Sequence, residues 1–180
     1  MKRTFLSVCA SALLVAGFTT TASAGATLDE VRAQETLRCG VGGSIPTFSK
    51  LDSQGRWGGL DVDYCKAVAA AVLGDPEDVT FVQLTLQQRF AALQGGEVDM
   101  LARDSVVNLT RDASLGVISV VTNFYTGAGF IVRRDSGIES SDDMNNATFC
   151  ISQGNSALGG LADLMKSKDF QYKLVQLEKF

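Results

Sequence analysis

The 180-residue sequence contains no histidine and has no excess of basic residues. Without histidine the chain has no Ser-His-Asp or Cys-His catalytic group, no histidine ligand for zinc and no histidine pH switch. The formal net charge of −4 argues against a nucleic-acid-binding protein, because such proteins carry a basic surface. A composition of 46% hydrophobic and 20% charged residues predicts a folded globular protein of one domain or little more.

The only long apolar run lies at the N-terminus, in residues 5–18. Two basic residues precede the run, and the A-x-A sequence Ala22-Ser23-Ala24 follows it, just before Gly25. This pattern is typical of a secretory signal peptide, and the run is shorter than an ordinary membrane span. Residues 1–24 are therefore expected to be a signal peptide, with an uncleaved anchor as the alternative. The chain that follows is expected to be exported without a further membrane span.

Export changes the interpretation of the cysteines, since disulfides persist in oxidising compartments. Beyond the signal peptide the sequence contains Cys39, Cys65 and Cys150. Cys39 lies near the end of an apolar strand-like run, and Cys65 lies on a helix soon after it. A disulfide between Cys39 and Cys65 is the favoured pairing, which would leave Cys150 free. Three buried thiols are the alternative.

Strand and helix patterns alternate in the first part of the chain, which predicts a mainly parallel sheet covered by helices. The predicted strands are Thr36–Val41, Val79–Leu84 and Val98–Ala102. Asp63 is predicted to cap a helix that ends before Gly74, and Asp61 to support the preceding turn. Thr85 and Gln88 have the spacing of a capping box at the start of a second helix.

A second unit is predicted to follow an apolar strand at Gly129–Val132. The polar segment Arg133–Gly137 marks the boundary, which divides the chain into a first α/β lobe at 25–133 and the start of a second at 134–180. The elements predicted in the second unit are a short helix opened by Ser140–Asp143, a strand at Ala147–Ser152, a helix carrying Leu158, Leu161, Leu164 and Met165, and a strand at Tyr172–Leu177.

Ligands of open α/β sheets bind beside the carboxyl ends of the strands, which draws attention to three loops. They are Gly42–Phe48, Arg103–Asp112 and Gln153–Ser156. In the second loop, Arg103 and Arg111 offer guanidinium groups that suit a carboxylate. In the third loop, the turn at Gln153–Asn155 precedes a helix and is expected to present backbone N–H groups to an anion.

Purely structural roles, without a ligand, also fit the residues of these loops. Arg111 could instead pair with a surface acid, and Gly154 could be an ordinary turn residue. Phe48 could stack on a ligand or close the end of the sheet. The sequence shows no compact Asp/Glu/Cys cluster, so neither a metal nor a cofactor is expected.

Several segments resemble the periplasmic amino-acid-binding proteins of ABC transporters, and the general L-amino-acid-binding branch in particular. Residues 57–63 resemble the family's G-F-D-V-D segment, and residues 89–99 resemble its R-x-x-A-L-x-x-G-x-V-D segment. Arg111 falls at the spacing after Asp99 where the family places its carboxylate-binding arginine. Residues 124–132 resemble the strand that crosses to the second lobe. The resemblance covers about residues 28–156.

This resemblance implies a class II periplasmic-binding-protein-like α/β fold, here with one near-complete lobe plus an incomplete second lobe, because the family runs well past residue 180. It implies a periplasmic protein that binds L-amino acids between two lobes and delivers them to an inner-membrane ABC permease. Arg111 would bind the ligand's α-carboxylate together with donors from Gly154 and Asn155, and Phe48 would pack on the ligand.

The sequence departs from the family pattern beside the expected ligand. Asp104 places a negative charge near the carboxylate site, and Val106 lacks the hydroxyl that would donate to it. The turn before the last helix contains Gly154 and Asn155 in place of the usual S-G-T. A truncated, non-binding remnant is therefore the main alternative function. A dehydratase-type enzyme on the same fold is less favoured, because a chain without histidine offers few general acids or bases.

Overall fold

The computed structural model describes residues 25–178, so the expected signal peptide lies outside the described residues. Within this range no helix is long and apolar enough to cross a membrane. The α-helices found there are α1 (Ala26–Gln34), α2 (Leu60–Leu73), α3 (Arg89–Gln94), α4 (Leu109–Ser114) and α5 (Ala157–Ser167). The strands are β1 (Leu37–Val41), β2 (Ser44–Ile45), β3 (Ser49–Leu51), β4 (Trp57–Gly58), β5 (Val79–Gln83), β6 (Met100–Leu101), β7 (Ala147–Ser152) and β8 (Tyr172–Leu177).

A three-stranded parallel sheet forms the centre of the first unit, in the order β5-β1-β6. Cys39 of β1 is aligned with Phe81 of β5 and with Met100 of β6. The parallel sheet predicted from the alternating pattern is therefore confirmed. β6 is shorter than the predicted strand, and the Val98 N–H donates to the carbonyl oxygen of Ala92 in α3 at 3.4 Å instead of to a neighbouring strand.

Both faces of this sheet are covered. On one face β1 packs against α2 through the buried residues Cys39, Val41 and Cys65. On the other face α3 supplies Ala92 to a separate buried cluster. Gly40 lies on this second face, and a Cβ there would come within 2.6 Å of the Leu101 side chain. The glycine therefore lets the α3 side pack closely on the central strand.

α2 begins three residues before Asp63, so the prediction that Asp63 caps this helix is wrong. The N-cap is Gly59, which has a φ of +119° and supplies no side-chain hydrogen bond. The loop backbone takes over the capping role, since the Asp61 N–H donates to the Phe48 carbonyl oxygen at 2.8 Å. A helix N-terminus satisfied by a neighbouring carbonyl does not need a side-chain cap.

α3 begins at Arg89, later than the sequence pattern predicts, and its N-cap Gln88 makes no side-chain cap hydrogen bond. The predicted Thr85–Gln88 pair is present in the turn before it. The Thr85 hydroxyl oxygen accepts a hydrogen bond from the Gln88 N–H at 3.2 Å. The Gln88 side-chain oxygen in turn accepts one from the Thr85 N–H at 3.2 Å. This reciprocal pair confirms the capping box.

The second unit contains β7 and β8 as a parallel pair, with α5 between them in the chain. All of its predicted elements are present, and the short helix is a 3₁₀ turn at Ser141–Asp143 with a capping box from Ser140. The core of the unit is formed by Met144, Leu161 and Met165, all buried. The apolar stripe of α5 therefore packs where the sequence pattern placed it.

The strand predicted at Gly129–Val132 is wrong. From the end of α4 to the 3₁₀ turn, the structure has neither helix nor strand. Ile131 is fully exposed, at 102% of its reference area. A strand needs a hydrogen-bonded neighbour, and the backbone hydrogen bond found in this stretch is a local turn from the Ser136 N–H to the Arg133 carbonyl oxygen. The division into lobes at residue 133 stays a prediction.

Cys39 and Cys65 form a disulfide that joins β1 to α2. Both residues are completely buried. This is the pairing favoured from the sequence. Cys150 is free and exposed on β7.

Candidate functional site

Two of the three loops singled out from the sequence meet at the carboxyl ends of their strands. The loop after β6 leads into α4, which carries Arg111, and the turn after β7 carries Gly154. The Arg111 Nη2 atom lies 3.4 Å from the Gly154 carbonyl oxygen. The contact brings residues 43 positions apart into one site and joins the first unit to the second.

Arg111 is held in place by its own helix. The Asn108 side chain caps α4 by accepting a hydrogen bond from the Arg111 N–H at 2.9 Å. The Arg111 Nη1 atom donates to the Val106 carbonyl oxygen at 2.7 Å, and the guanidinium carbon lies 5.0 Å from the centre of the Phe90 ring. Val106 therefore contributes its backbone, although its apolar side chain cannot donate. Partial burial lowers the pKa of Arg111, and the nearby carboxylate of Asp104 partly offsets this.

Arg103 has a different role from Arg111, although the sequence presented both as carboxylate-binding groups. Its side chain is buried, and its Nε atom donates to the Leu84 carbonyl oxygen at 2.7 Å. Its Nη1 atom forms an ion pair with the Asp104 carboxylate. Arg103 thus anchors the loop and partly neutralises Asp104, whose negative charge was expected to oppose a bound carboxylate.

Arg89 is a third arginine at this site, and its role was not predicted from the sequence. It is 1% exposed, and its Nη2 atom lies 3.3 Å from the same Gly154 carbonyl oxygen that Arg111 approaches. Its Nε and Nη1 atoms are buried without a hydrogen-bond partner among residues 25–178. Burial, together with the charges of Arg111 and Arg103, lowers the pKa of Arg89 to about 10, and the charge of Asp104 partly opposes this shift.

A signal for Arg89 was present in the sequence. It lies three residues before Ala92, and residues at this spacing share one face of a helix. Ala92 is buried, so the arginine occupies a face that packs inward. A charge at such a position requires a partner or a ligand.

Gly154 and Asn155 form a tight turn against the first unit. Gly154 has a φ of +76°, and a Cβ there would come within 2.8 Å of the Leu86 carbonyl oxygen. The Asn155 side-chain oxygen accepts a hydrogen bond from the Ala157 N–H at 2.9 Å, at the start of α5. In the structure the Gly154 carbonyl oxygen faces the arginines. The donation of its N–H to a ligand stays a prediction.

Phe48 lies in the remaining loop, Gly42–Phe48 after β1, and is half-buried. Its ring packs edge-on against the ring of Phe124, with 5.0 Å between the ring centres. The loop before it is fixed by Ser49, whose buried hydroxyl oxygen accepts hydrogen bonds from the Gly42 and Gly43 N–H groups at 3.0 and 3.1 Å. Phe48, on the loop after β1, therefore pairs with Phe124 from the segment after α4, and the contact of Phe48 with a ligand stays a prediction.

Asp61 belongs to the same charged region although it lies on α2. Its side chain is buried, with 4% of the residue exposed. Burial raises the pKa of Asp61 to about 6, and the charge of Asp104 acts in the same direction. Arg103 lowers this pKa by attraction, but not enough to cancel the effect of burial.

A family of known proteins and several of its members match this chain. The model of the family described as bacterial extracellular solute-binding proteins, family 3, matches residues 37–174. The chain is 41% identical over 176 residues to the glutamate/glutamine/aspartate/asparagine-binding protein BztA of Rhodobacter capsulatus. This match covers 98% of this chain and 51% of that protein. It is 38% identical over 178 residues to the general L-amino acid-binding periplasmic protein AapJ of Rhizobium johnstonii, covering 99% of this chain and 52% of that protein.

A solved structure shows the same likeness. The ABC transporter periplasmic binding protein from Brucella ovis with glutathione bound superposes with a TM-score of 0.80 at 39% identity. The match covers 85% of this chain and 48% of that one. The chain therefore spans about half the length of the relatives it matches.

Proposed function

This chain belongs to the bacterial extracellular solute-binding proteins, family 3, and we propose that it binds L-amino acids as the periplasmic substrate-binding component of an ABC importer. Its mixed α/β fold is that of class II periplasmic binding proteins. Relatives named as amino-acid-binding proteins support the proposed ligand class. Both are named as binding proteins, which supports a binding role.

The observation that carries this proposal is the meeting of Arg111 with the Gly154 turn at the junction of the two units. The Asn108 cap fixes the backbone of Arg111, and the Val106 carbonyl oxygen accepts from its guanidinium. The remaining N–H groups of the guanidinium could then bind a carboxylate. The Gly154 and Asn155 turn would close over that carboxylate from the second unit. Phe48 would cover the aliphatic part of the ligand, beside Phe124.

The two residues that depart from the family pattern weaken binding less than their side chains suggest. The charge of Asp104 is shared with Arg103, so a bound carboxylate meets a partly neutralised group. Val106 holds Arg111 through its backbone. The missing hydroxyl still removes one hydrogen bond to a charged ligand, which costs about 1.5–3 kcal/mol.

Transport would follow from a change in the population of closed molecules. A ligand held by residues of both units favours the closed arrangement by its difference in affinity for the two states. The partner in the inner membrane would be an ABC permease that receives the ligand. The route to the periplasm would be export directed by residues 1–24.

The proposal is tested by thermal unfolding of the exported chain with a panel of L-amino acids. A ligand at about 100 times its Kd adds about 2.7 kcal/mol to the free energy of unfolding and raises Tm by several degrees. Arg111→Gln is expected to abolish that rise. The control is Arg56→Gln, since Arg56 is exposed and pairs with Asp52 away from the site. A cooperative transition that no amino acid shifts would contradict the proposal and favour a non-binding remnant.

A further inference from the structure

The segment of residues 117–132 is extended, and its backbone is unpaired. None of its N–H or carbonyl groups forms a hydrogen bond with another backbone group of residues 25–178. An ordinary edge strand leaves one side of its backbone unpaired, whereas this segment leaves both sides unpaired. Backbone polar groups of an extended apolar segment are normally paired with a neighbouring strand. The segment can therefore pair with a strand from another molecule.

Apolar side chains of the segment are exposed to solvent. The exposed fractions are 85% for Ile118, 83% for Val120, 87% for Tyr125 and 102% for Ile131. Single exposed apolar residues are normal on a protein surface, but a contiguous apolar surface marks an interaction site. The exposure of several such residues on one stretch of chain therefore indicates a protein-binding surface.

Two aromatic contacts hold the segment in place. The ring of Phe124 packs edge-on against Phe48, with 5.0 Å between the ring centres. The ring centre of Phe130 lies 5.6 Å from that of Phe149 on β7. A surface that is already held in place loses less conformational freedom when a partner binds.

The charges that flank the segment have opposite signs. Asp112 precedes it and Arg134 follows it, and both are exposed. Neither forms an ion pair within 4.0 Å among residues 25–178. Antiparallel pairing of two identical segments brings the start of each beside the end of the other. Asp112 of each copy would then approach Arg134 of the other copy, and Asn123, midway between them in the sequence, would lie near the two-fold axis.

The segment also complements itself in shape. A groove of about 600 Å³ lies between the start of α4 and residues 119–122, and Val121 lines it. In an antiparallel pair centred on Asn123, Tyr125 of one copy lies opposite Val121 of the other. The exposed aromatic ring of each copy can therefore fill the groove of its partner.

We propose that residues 117–132 form the interface of a homodimer, in which the segments of two copies pair as antiparallel strands around a two-fold axis near Asn123. Such pairing satisfies backbone groups along one side of each segment and brings apolar side chains of the two copies together. A two-fold contact of this kind is closed, so assembly stops at two copies. The inference uses neither Arg111 nor the Gly154 turn and does not rest on the proposed function.

The test is sedimentation of the exported full chain over a wide range of protein concentration. We expect an equilibrium between monomer and dimer that depends on concentration. Val120→Lys places a charge at an exposed position of the interface in each copy and is expected to raise the dimer Kd about a hundredfold or more. The control is Val175→Lys, the same change at an exposed position of β8 outside the segment, and it should leave the dimer Kd unchanged.

A charge exchange tests the orientation of the two strands. Asp112→Arg is expected to raise the dimer Kd about three- to tenfold, because it brings like charges together at both ends of the interface. Adding Arg134→Asp to the same chain re-forms the pair in reverse and is expected to restore the wild-type Kd. A double variant that dimerises no better than Asp112→Arg alone would overturn the antiparallel arrangement.

Amide hydrogen exchange of wild type gives a second readout that needs no variant. We expect the amides of residues 117–132 to exchange more slowly in the dimer than in the dilute monomer. A chain that is monomeric at every concentration would overturn the proposal, as would a dimer in which these amides exchange as fast as in the monomer. Assembly beyond two copies, or a dimer that Val120→Lys leaves intact, would overturn it as well.

Discussion

Asp61 is a carboxylate in the first turn of α2, buried beside the Arg103–Asp104 pair. Its pKa is raised from 3.8 to about 6 in the folded protein, chiefly by burial. Between pH 4 and 6 the folded state therefore binds more protons than the unfolded state, and the free energy of unfolding falls as the pH rises. Above pH 6 the ionised group destabilises the fold by at most about 3 kcal/mol.

Asp61→Asn is expected to remove this cost. The variant should be more stable than wild type at pH 8, by up to about 3 kcal/mol, and should lose much of the pH dependence between pH 4 and 6. Urea unfolding across this pH range measures both effects. The control is Asp63→Asn, at an exposed position of the same helix. A variant with the wild-type pH dependence would show that Asp61 does not titrate in this range.

The sequence places Asp61 and Asp63 side by side but does not show which one is buried. Both have the chemistry of a helix cap, and the capping prediction chose Asp63. The structure satisfies the helix N-terminus with loop carbonyl oxygens and buries Asp61. That outcome depends on the Phe48 loop folding back onto α2, a contact that local spacing cannot reveal.

The turn between β7 and α5 is the element that brings the second unit against the first. Gly154→Ala is expected to weaken ligand binding and destabilise the protein by more than about 1 kcal/mol. A Cβ there would lie 2.8 Å from a backbone oxygen, and the φ of +76° is strained for alanine. Thermal unfolding with and without ligand measures both effects.

Gly137→Ala is the matched control for this substitution. Gly137 has nearly the same φ, +73°, but a Cβ there would meet no atom within 4 Å. It should therefore show the cost of backbone strain without the loss of ligand affinity. Equal effects of the two substitutions would contradict the idea that the Gly154 contact positions the site.

The sequence predicted the strands correctly where an apolar segment also has a neighbouring strand with which it can pair. β1, β5, β7 and β8 are short apolar runs bounded by turns, and each finds a parallel neighbour. Gly129–Val132 has the same apolar character but pairs with no strand among residues 25–178. Apolar sequence predicts that a segment can be a strand, whereas hydrogen bonding to another strand decides whether it is one.

At the scale of the whole molecule, the disulfide is the covalent link across the first unit. Replacing Cys39 and Cys65 together by alanine is expected to lower the free energy of unfolding by about 3–4 kcal/mol, from the entropy of closing a loop with a sequence separation of 26 residues. Denaturant unfolding measures the loss.

Cys150→Ala is the control for the double replacement. Cys150 is exposed and unpaired, so its change should stay within about 0.5 kcal/mol. A double variant as stable as this control would show that the disulfide does not stabilise the fold by lowering the conformational entropy of the unfolded chain.

Part of the candidate site could be predicted from the sequence, and part of it depends on contacts between distant segments. Arg111 and the Gly154 turn were predicted because each follows a strand at the same edge of its sheet. Arg89 joins them through a contact between residues 65 positions apart. Such a contact depends on how the two units meet, which neither periodicity nor spacing encodes.

The bond between Cys39 and Cys65 also bears on the timing of folding in an exported chain. In a reducing cytosol the two thiols stay apart, and the newly made chain lacks the stabilisation that the bridge provides. If the chain is exported as proposed, it would therefore be easiest to keep unfolded, and so to pass across a membrane, on the side where it is synthesised. Oxidation after translocation would then make the return to an unfolded chain harder on the side where a ligand would be bound.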